Sequence, residues 1–291
     1  MTRVVFLGRR ALFGAHVLSA PAGGVQPAFV EARGRADERG PDALRAEIAG
    51  HAPDVVVVLR PDAIPPGTLD GLDTTAKVLG VVADPLHGNA YHQAELARAD
   101  AAAFDRVIVT DPRSVDAARA LALPVWRTLP LPVDDALYRA PRPSGRPPRV
   151  VYLGHASMHR EETLIGLKHE FDLPHYAYGL LGEELREVLH EADVGLVVGD
   201  DAGLGVLDHT MMVHLAAGHL VVAEPLHERR GLTPGVHYLE APDRDAFRRI
   251  VARLHAAPDA WDRVRVQGHH AARRCAASRV WPRIVADLLA A

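Results

Sequence analysis

Val55-Val56-Val57-Val58 is apolar at every position rather than at every second one, and a strand of that pattern must be covered on both faces. Such strands sit inside parallel sheets, whose neighbours are joined by crossover helices. The flanking sequence supplies the rest of that grammar. Further short apolar, β-branched runs predict strands at Val4–Gly8, Gln26–Glu31, Lys77–Val82, Val107–Thr110 and Val125–Leu129. Between them, Pro41-Asp42 opens and Gly50 closes a predicted helix at Asp42–Gly50, and Asp111-Pro112 leads into another at Arg113–Ala122. The same alternation restarts after Pro141–Pro148, whose PRPSGRPP has no apolar pattern and reads as a linker. Strands are predicted at Val150–Leu153, around Tyr176, and at Val194–Val198, His219–Ala223 and His237–Leu239. The helices predicted among and after them are Glu161–Lys168, Glu183–Glu191, Asp208–Ala217, Asp243–His255, Asp262–Ala276 and Trp281–Leu289.

The 291 residues exceed one typical domain and suit two of about 140. The expected organisation is an α/β domain at 1–140, a linker at 141–148 and a second α/β domain at 149–291, with the last helix able to pack back on the first domain. Open parallel sheets bind ligands at the carboxyl ends of their strands, so the expected site faces the linker. A net charge of -4 provides no global basic field for nucleic acid or an anionic membrane. The single cysteine, Cys275, excludes an intrachain disulfide framework and a cysteine-rich zinc site. The opening MTRVVFLGRR has neither the apolar stretch nor the small-residue cleavage site of a signal peptide, and no apolar run reaches the roughly 18 residues of a membrane span. The expectation is a cytoplasmic chain. Lys77 and Lys168 are the only lysines, so nearly all positive charge is guanidinium; this would suit phosphate or carboxylate clamping, but a genomic bias toward arginine and alanine codons is the preferred reading.

Three loops of the second half carry the candidate chemistry. VVYLGHASMHR (Val150–Arg160) ends a strand at Gly154 and enters a helix through a polar loop containing His155 and Ser157. Gly154 admits a ligand close to the backbone, the helix start offers amides to an anion, and Arg160 adds a fork of donors. DDAGLG, with Asp200, Asp201, Gly203 and Gly205, opens onto the helix that carries TMMVHLAAG, and Gly231-Leu232 lies in the loop from Glu224 to Gly235. Glycine is also what helix ends ordinarily need, which explains one such loop better than three. His155 and His159 are four apart across a loop with no completing carboxylate, so no metal site is expected. Trp261 and Trp281, among apolar neighbours, read as core anchors.

LPLPVDDALYRAP, VVYLGHASMHREETLI, EADVGLVV, MMVHLAAGHLVVAEP and GLTPGVHYLEAPD, followed by a terminal helix with Trp281 and Arg283, occur in the order found in group 1 glycosyltransferases. In the first half VVADPLH and FDRVIVTDPRSV fit the same pattern. The chain resembles that family over most of its length, and its spore-maturation-type branch in particular. The resemblance implies a GT-B fold, two Rossmann-like domains with mostly parallel sheets facing across a cleft. It implies a metal-independent transferase that needs no cofactor beyond its donor substrate. The second domain would hold the nucleotide-diphosphate sugar, UDP-linked or similar, and the first a small-molecule or glycan acceptor. Gly8, Gly154, His155, Ser157, Arg160, Gly203, Gly205, Asp208, Glu224, Gly231 and Leu232 would line the donor site. Arg160 would meet the charge that grows on the leaving diphosphate, while Asp84 or His87 would serve as base toward the acceptor. The chain departs from the family where relatives carry ribose-binding carboxylates: those positions read Val213 and Gly205. Two other readings stand beside transfer, a nucleotide-sugar-binding or regulatory scaffold without turnover and a transferase acting on modified DNA, the second disfavoured by the chain's acidity. A second copy of the chain, as a homodimer, is the remaining candidate partner.

Overall fold

The computed structural model describes residues 1–72, 75–87, 89–99, 101–144, 147–154, 156–176, 180, 182–199 and 209–291. The chain divides into two compact units, Met1–Asp135 with Ala277–Ala291, and Ala136–Ala276.

Unit 1 is built on β1 (Thr2–Gly8), β2 (Val25–Glu31), β3 (Val55–Leu59), β4 (Lys77–Val82), β5 (Arg106–Val109) and β6 (Val125–Thr128). Its helices are α1 (Arg10–Phe13), α2 (Gly40–Gly50), α3 (Ala90–Leu96) and α4 (Val115–Ala120). All strand pairs are parallel, in the order β2-β1-β3-β4-β5-β6. β3 is fully buried along its length. Its alternate residues feed two separate cores: Val55, Val57 and Leu59 join one apolar cluster, Val56 and Val58 the other. This is the two-sided burial that the unbroken valine run demands.

Unit 2 carries β7 (Val150–Leu153), α5 (Met158–Glu170), β8 (His175–Tyr176), α6 (Gly182–Glu191), β9 (Val194–Val197), α7 (His209–Ala216), β10 (Leu220–Ala223), β11 (Leu239–Glu240), α8 (Arg244–Ala256) and α9 (Asp262–Ala272). The strands again pair in parallel, in the order β11-β10-β9-β7-β8. One face is apolar, with Tyr152, Leu196 and Val222 packed on Leu164 and Leu167 of α5 and Phe247, Val251 and Leu254 of α8. The PRPSGRPP segment begins alongside this unit. Arg139 N–H donates to the Ala216 carbonyl at 3.0 Å, and a Cβ on Gly218 would stand 3.0 Å from Pro141 N.

The last helix, α10 (Ala277–Leu289), belongs to unit 1. Trp281, Ile284, Val285 and Leu288 enter the first apolar cluster, and the Trp281 ring meets Phe6 edge-on at 5.0 Å. The sequence predicts the start of this helix at Trp281, with Pro282 in its first turn; the helix begins four residues earlier and contains Pro282. Its beginning is held from elsewhere in the chain. Ala277 N–H donates to the Val133 carbonyl, and Asp135 accepts from both the amide and the hydroxyl of Ser278, at 2.8 and 2.6 Å. Local propensity carries no trace of such a cap.

Candidate functional site

Ser157 starts α5: its backbone is extended (φ -130°, ψ 166°) and its Oγ accepts from Arg160 N–H at 3.3 Å. This is ordinary N-cap chemistry. It sets the first turn of α5 beyond the carboxyl end of β7, where Gly154 lies at φ +148°. A Cβ there would stand 2.8 Å from the Tyr152 hydroxyl, so only glycine fits this loop.

Side chains tie that turn to the ends of the next two strands. Arg160 is buried, 5% exposed, and its Nε donates to the Val198 carbonyl just past β9 at 3.0 Å. Glu224, just past β10, accepts from Gly199 N–H through Oε2 and from His159 Nε2 through Oε1, both at 2.7 Å. One carboxylate thus joins the ends of two neighbouring strands to the start of α5. His159 and Glu224 side chains remain 21% and 12% exposed, so the knot is open at its rim. From the other side, His175 Nε2–H donates to the Gly154 carbonyl at 2.8 Å, and its Nδ1 lies 3.1 Å from Lys168 Nζ. A carbonyl can only accept and an ammonium can only donate, so Nε2 gives the hydrogen to Gly154 and Nδ1 accepts from Lys168. Lys168 is in turn held by both oxygens of Glu161 at 2.8 and 2.9 Å, and that pairing holds the Glu161 carboxyl below the usual carboxylate range.

Four of the sequence-predicted residues therefore meet at one edge: Gly154, Ser157, Arg160 and Glu224. Gly231, at φ +81°, turns away toward Arg274, whose Nη1 would be 3.1 Å from an added Cβ, and Leu232 is buried. Val213 is likewise buried within α7. His155, Asp200, Asp201, Gly203, Gly205 and Asp208 lie outside the described residues.

The remaining candidates belong to unit 1. Gly8 ends β1, where a Cβ would stand 3.0 Å from Leu59 Cβ, so close packing of β1 on β3 already requires glycine. Asp84 follows β4 with an oxygen 2.8 Å from Arg60 Nε, while His87 is exposed. Arg60 holds φ +65° at the end of β3 and also binds Asp62 at 2.6 Å; a non-glycine residue in that region is uncommon. His159, Lys168 and His175 were not expected at the site. His159 stands one position before Arg160, and only the return of β10 brings a carboxylate to it. Among the described residues no group of three or more His, Cys, Asp or Glu is arranged to hold a metal ion, and no helix is long and apolar enough to cross a membrane.

No protein-family model and no curated protein matches the chain. Solved structures do. Anabaena HepE in complex with UDP-glucose aligns over 100% of both chains with TM-score 0.63 at 10% identity. An α-glucosyltransferase in complex with UDP-glucose and DNA containing an abasic site aligns over 100% of both with TM-score 0.62 at 12% identity. Sucrose-phosphate synthase from Thermosynechococcus elongatus aligns over 100% of both with TM-score 0.60 at 12% identity. The two parallel sheets with interleaved helices are the α/β fold of these GT-B glycosyltransferases.

Proposed function

We propose that this chain is a glycosyltransferase that takes its sugar from a nucleotide-diphosphate donor, bound in unit 2, without a metal ion. The observation that carries this reading is the knot at the carboxyl ends of β7, β9 and β10, where Glu224 fixes two strand ends against the first turn of α5. Parallel sheets bind ligands at that edge. The opening amides of a helix favour an anion there, and Arg160 buried beneath the turn adds positive charge. As the bond from sugar C1 to the diphosphate breaks, negative charge grows on the leaving oxygen, and donors already in place stabilise it. Asp84 and His87 are the candidates for the base toward the acceptor hydroxyl. Uridine is the first base to test, since HepE and the α-glucosyltransferase are complexes with UDP-glucose.

A second reading, nucleotide-sugar binding without transfer, is favoured by Val213, an apolar buried side chain where transferases of the resembled family carry a ribose-binding glutamate. One experiment separates the two. Thermal unfolding is followed with UDP, TDP, GDP and ADP, then hydrolysis of the matching nucleotide sugars is assayed. A ligand at about 100 times its Kd stabilises by about 2.7 kcal/mol. Stabilisation with turnover supports transfer, stabilisation without turnover supports the binding protein, and no stabilisation by any of the four removes both.

A further inference from the structure

We infer that His159, oriented by Glu224, is the proton-bearing donor to the terminal phosphate of the bound nucleotide. The inference deepens the reading of unit 2 as the donor-binding unit and rests on it. The family resemblance puts Glu224 at the donor site, yet its two oxygens are taken up by His159 Nε2 and Gly199 N–H, both at 2.7 Å. A carboxylate fixed by a backbone amide and bonded to one imidazole nitrogen sets the ring's orientation. With Nε2–H donating to Glu224, the second nitrogen, Nδ1, makes no hydrogen bond with the described residues and is the group left for a ligand. The pair stands at the start of α5, two residues past Ser157, on the edge where the diphosphate is proposed to lie. The other charged groups packed around it are Arg160, turned to the Val198 carbonyl, and Glu161, held by Lys168. Neither takes the place of Nδ1.

In transfer, the acceptor oxygen bonds to sugar C1 and gives its proton to the base, Asp84 or His87, which passes it to solvent. The C1–O bond to the diphosphate breaks, its electron pair staying on that oxygen, which takes the proton from His159 Nδ1. The imidazole then regains a proton from solvent, so charge and protons balance. Bound nucleoside diphosphate engages the same Nδ1–H through its terminal phosphate.

The test compares UDP with UMP, which lacks that phosphate, by calorimetric titration of the full chain and of His159→Gln and Glu224→Gln. His159→Gln should raise the Kd for UDP at least about tenfold, the scale of one hydrogen bond to a charged group, and leave the Kd for UMP within about twofold. Glu224→Gln keeps an acceptor for Gly199 while removing the carboxylate's charge, and should shift the same balance toward UMP by a smaller factor. A purely structural pair would change both affinities together. Equal losses for UDP and UMP, or UDP binding untouched by either substitution, would overturn the role of His159 and leave the donor-site reading standing. Failure of the unsubstituted chain to bind UDP, TDP, GDP or ADP would overturn both.

Discussion

The two sheets are covered differently. In unit 1 both faces of the six-stranded sheet are closed by apolar clusters, one completed by Trp281 of α10 and the other by Leu44 and Ile48 of α2. In unit 2 the α5 and α8 face carries one such cluster. Its other face meets α7 and α9, where His214, His219, Arg265 and His269 are buried along with the apolar Met211, Leu215, Val221 and Ala223. His219 Nε2–H donates to the Leu189 carbonyl at 2.7 Å, so its Nδ1 accepts from His214 Nδ1–H at 3.0 Å. His269 Nδ1–H donates toward the Ala216 carbonyl at 3.1 Å. Burial holds the imidazoles of His219 and His269 neutral. Apolar side chains and neutral imidazoles can fill a core equally well at neutral pH, but only the imidazoles respond to protons.

The largest effect that would sharpen this contrast is Trp281→Ala. It removes a fully buried aromatic whose Nε1–H also donates to the His16 carbonyl at 2.9 Å. A loss of about 3–5 kcal/mol is expected, confined to unit 1. Hydrogen exchange should speed up in β1 and β3 while β9 keeps its protection; equal loss in both units would show that the two cores are not independent.

Acid should produce the next effect, and in the opposite unit. Burial pushes His219 down to about 4 from an ordinary value of 6.5. The unfolded chain therefore takes up a proton that the folded one refuses. Stability is complete above pH 6.5 and falls as pH drops toward 4, by about 3 kcal/mol for this group. His269 is shifted in the same direction by burial. In unit 1 the shifted carboxyls are held low: Asp37 by the Arg39 guanidinium, and Asp105 by the Val78 amide and Lys77 against the opposing effect of burial. Their stabilisation is lost only below the ordinary carboxylate value of 3.8. At pH 5, exchange should rise in β9 and β10 before it rises in β3; the reverse order would break the comparison.

Gly195→Ala is a smaller probe of the same face. A Cβ at this position would overlap the His214 ring, and overpacking of this kind costs about 1–3 kcal/mol. Urea titration reads it, and His214→Ala in the same chain should restore part of the loss. Smallest is Ser157→Ala, which removes the cap of α5 and should cost about 1 kcal/mol. It should weaken UDP binding only modestly, because the opening amides of the helix remain.

The strands were the most legible part of the chain. Val55–Leu59, Lys77–Val82 and Val150–Leu153 lie where their unbroken apolar runs predict, because two-sided burial leaves the same mark in any parallel sheet. Helix ends were less legible. α5 begins at Met158 rather than Glu161, since Ser157 caps it ahead of the first apolar residue. The predicted helix at Arg113–Ala122 splits into a 3-10 turn at Pro112–Ser114 and α4 at Val115–Ala120. In the loop after β7, Gly154 was readable because a positive φ selects glycine locally, whereas Ser157 was not read as the cap of α5. The His159–Glu224 pair was not readable, because its members are 65 residues apart and each alone resembles a surface polar residue.

By itself the amino-acid order determined the alternation of strand and helix, the parallel sense of both sheets and the loops that needed glycine. These follow from spacing, backbone sterics and burial, which act over a few residues. Only the tertiary structure decided that α10 completes the first core, that a group of histidines is buried on one side of the second sheet, and that Glu224 orients His159. Each of these depends on groups far apart in sequence that meet when the sheets form, and the sequence records no distance between them.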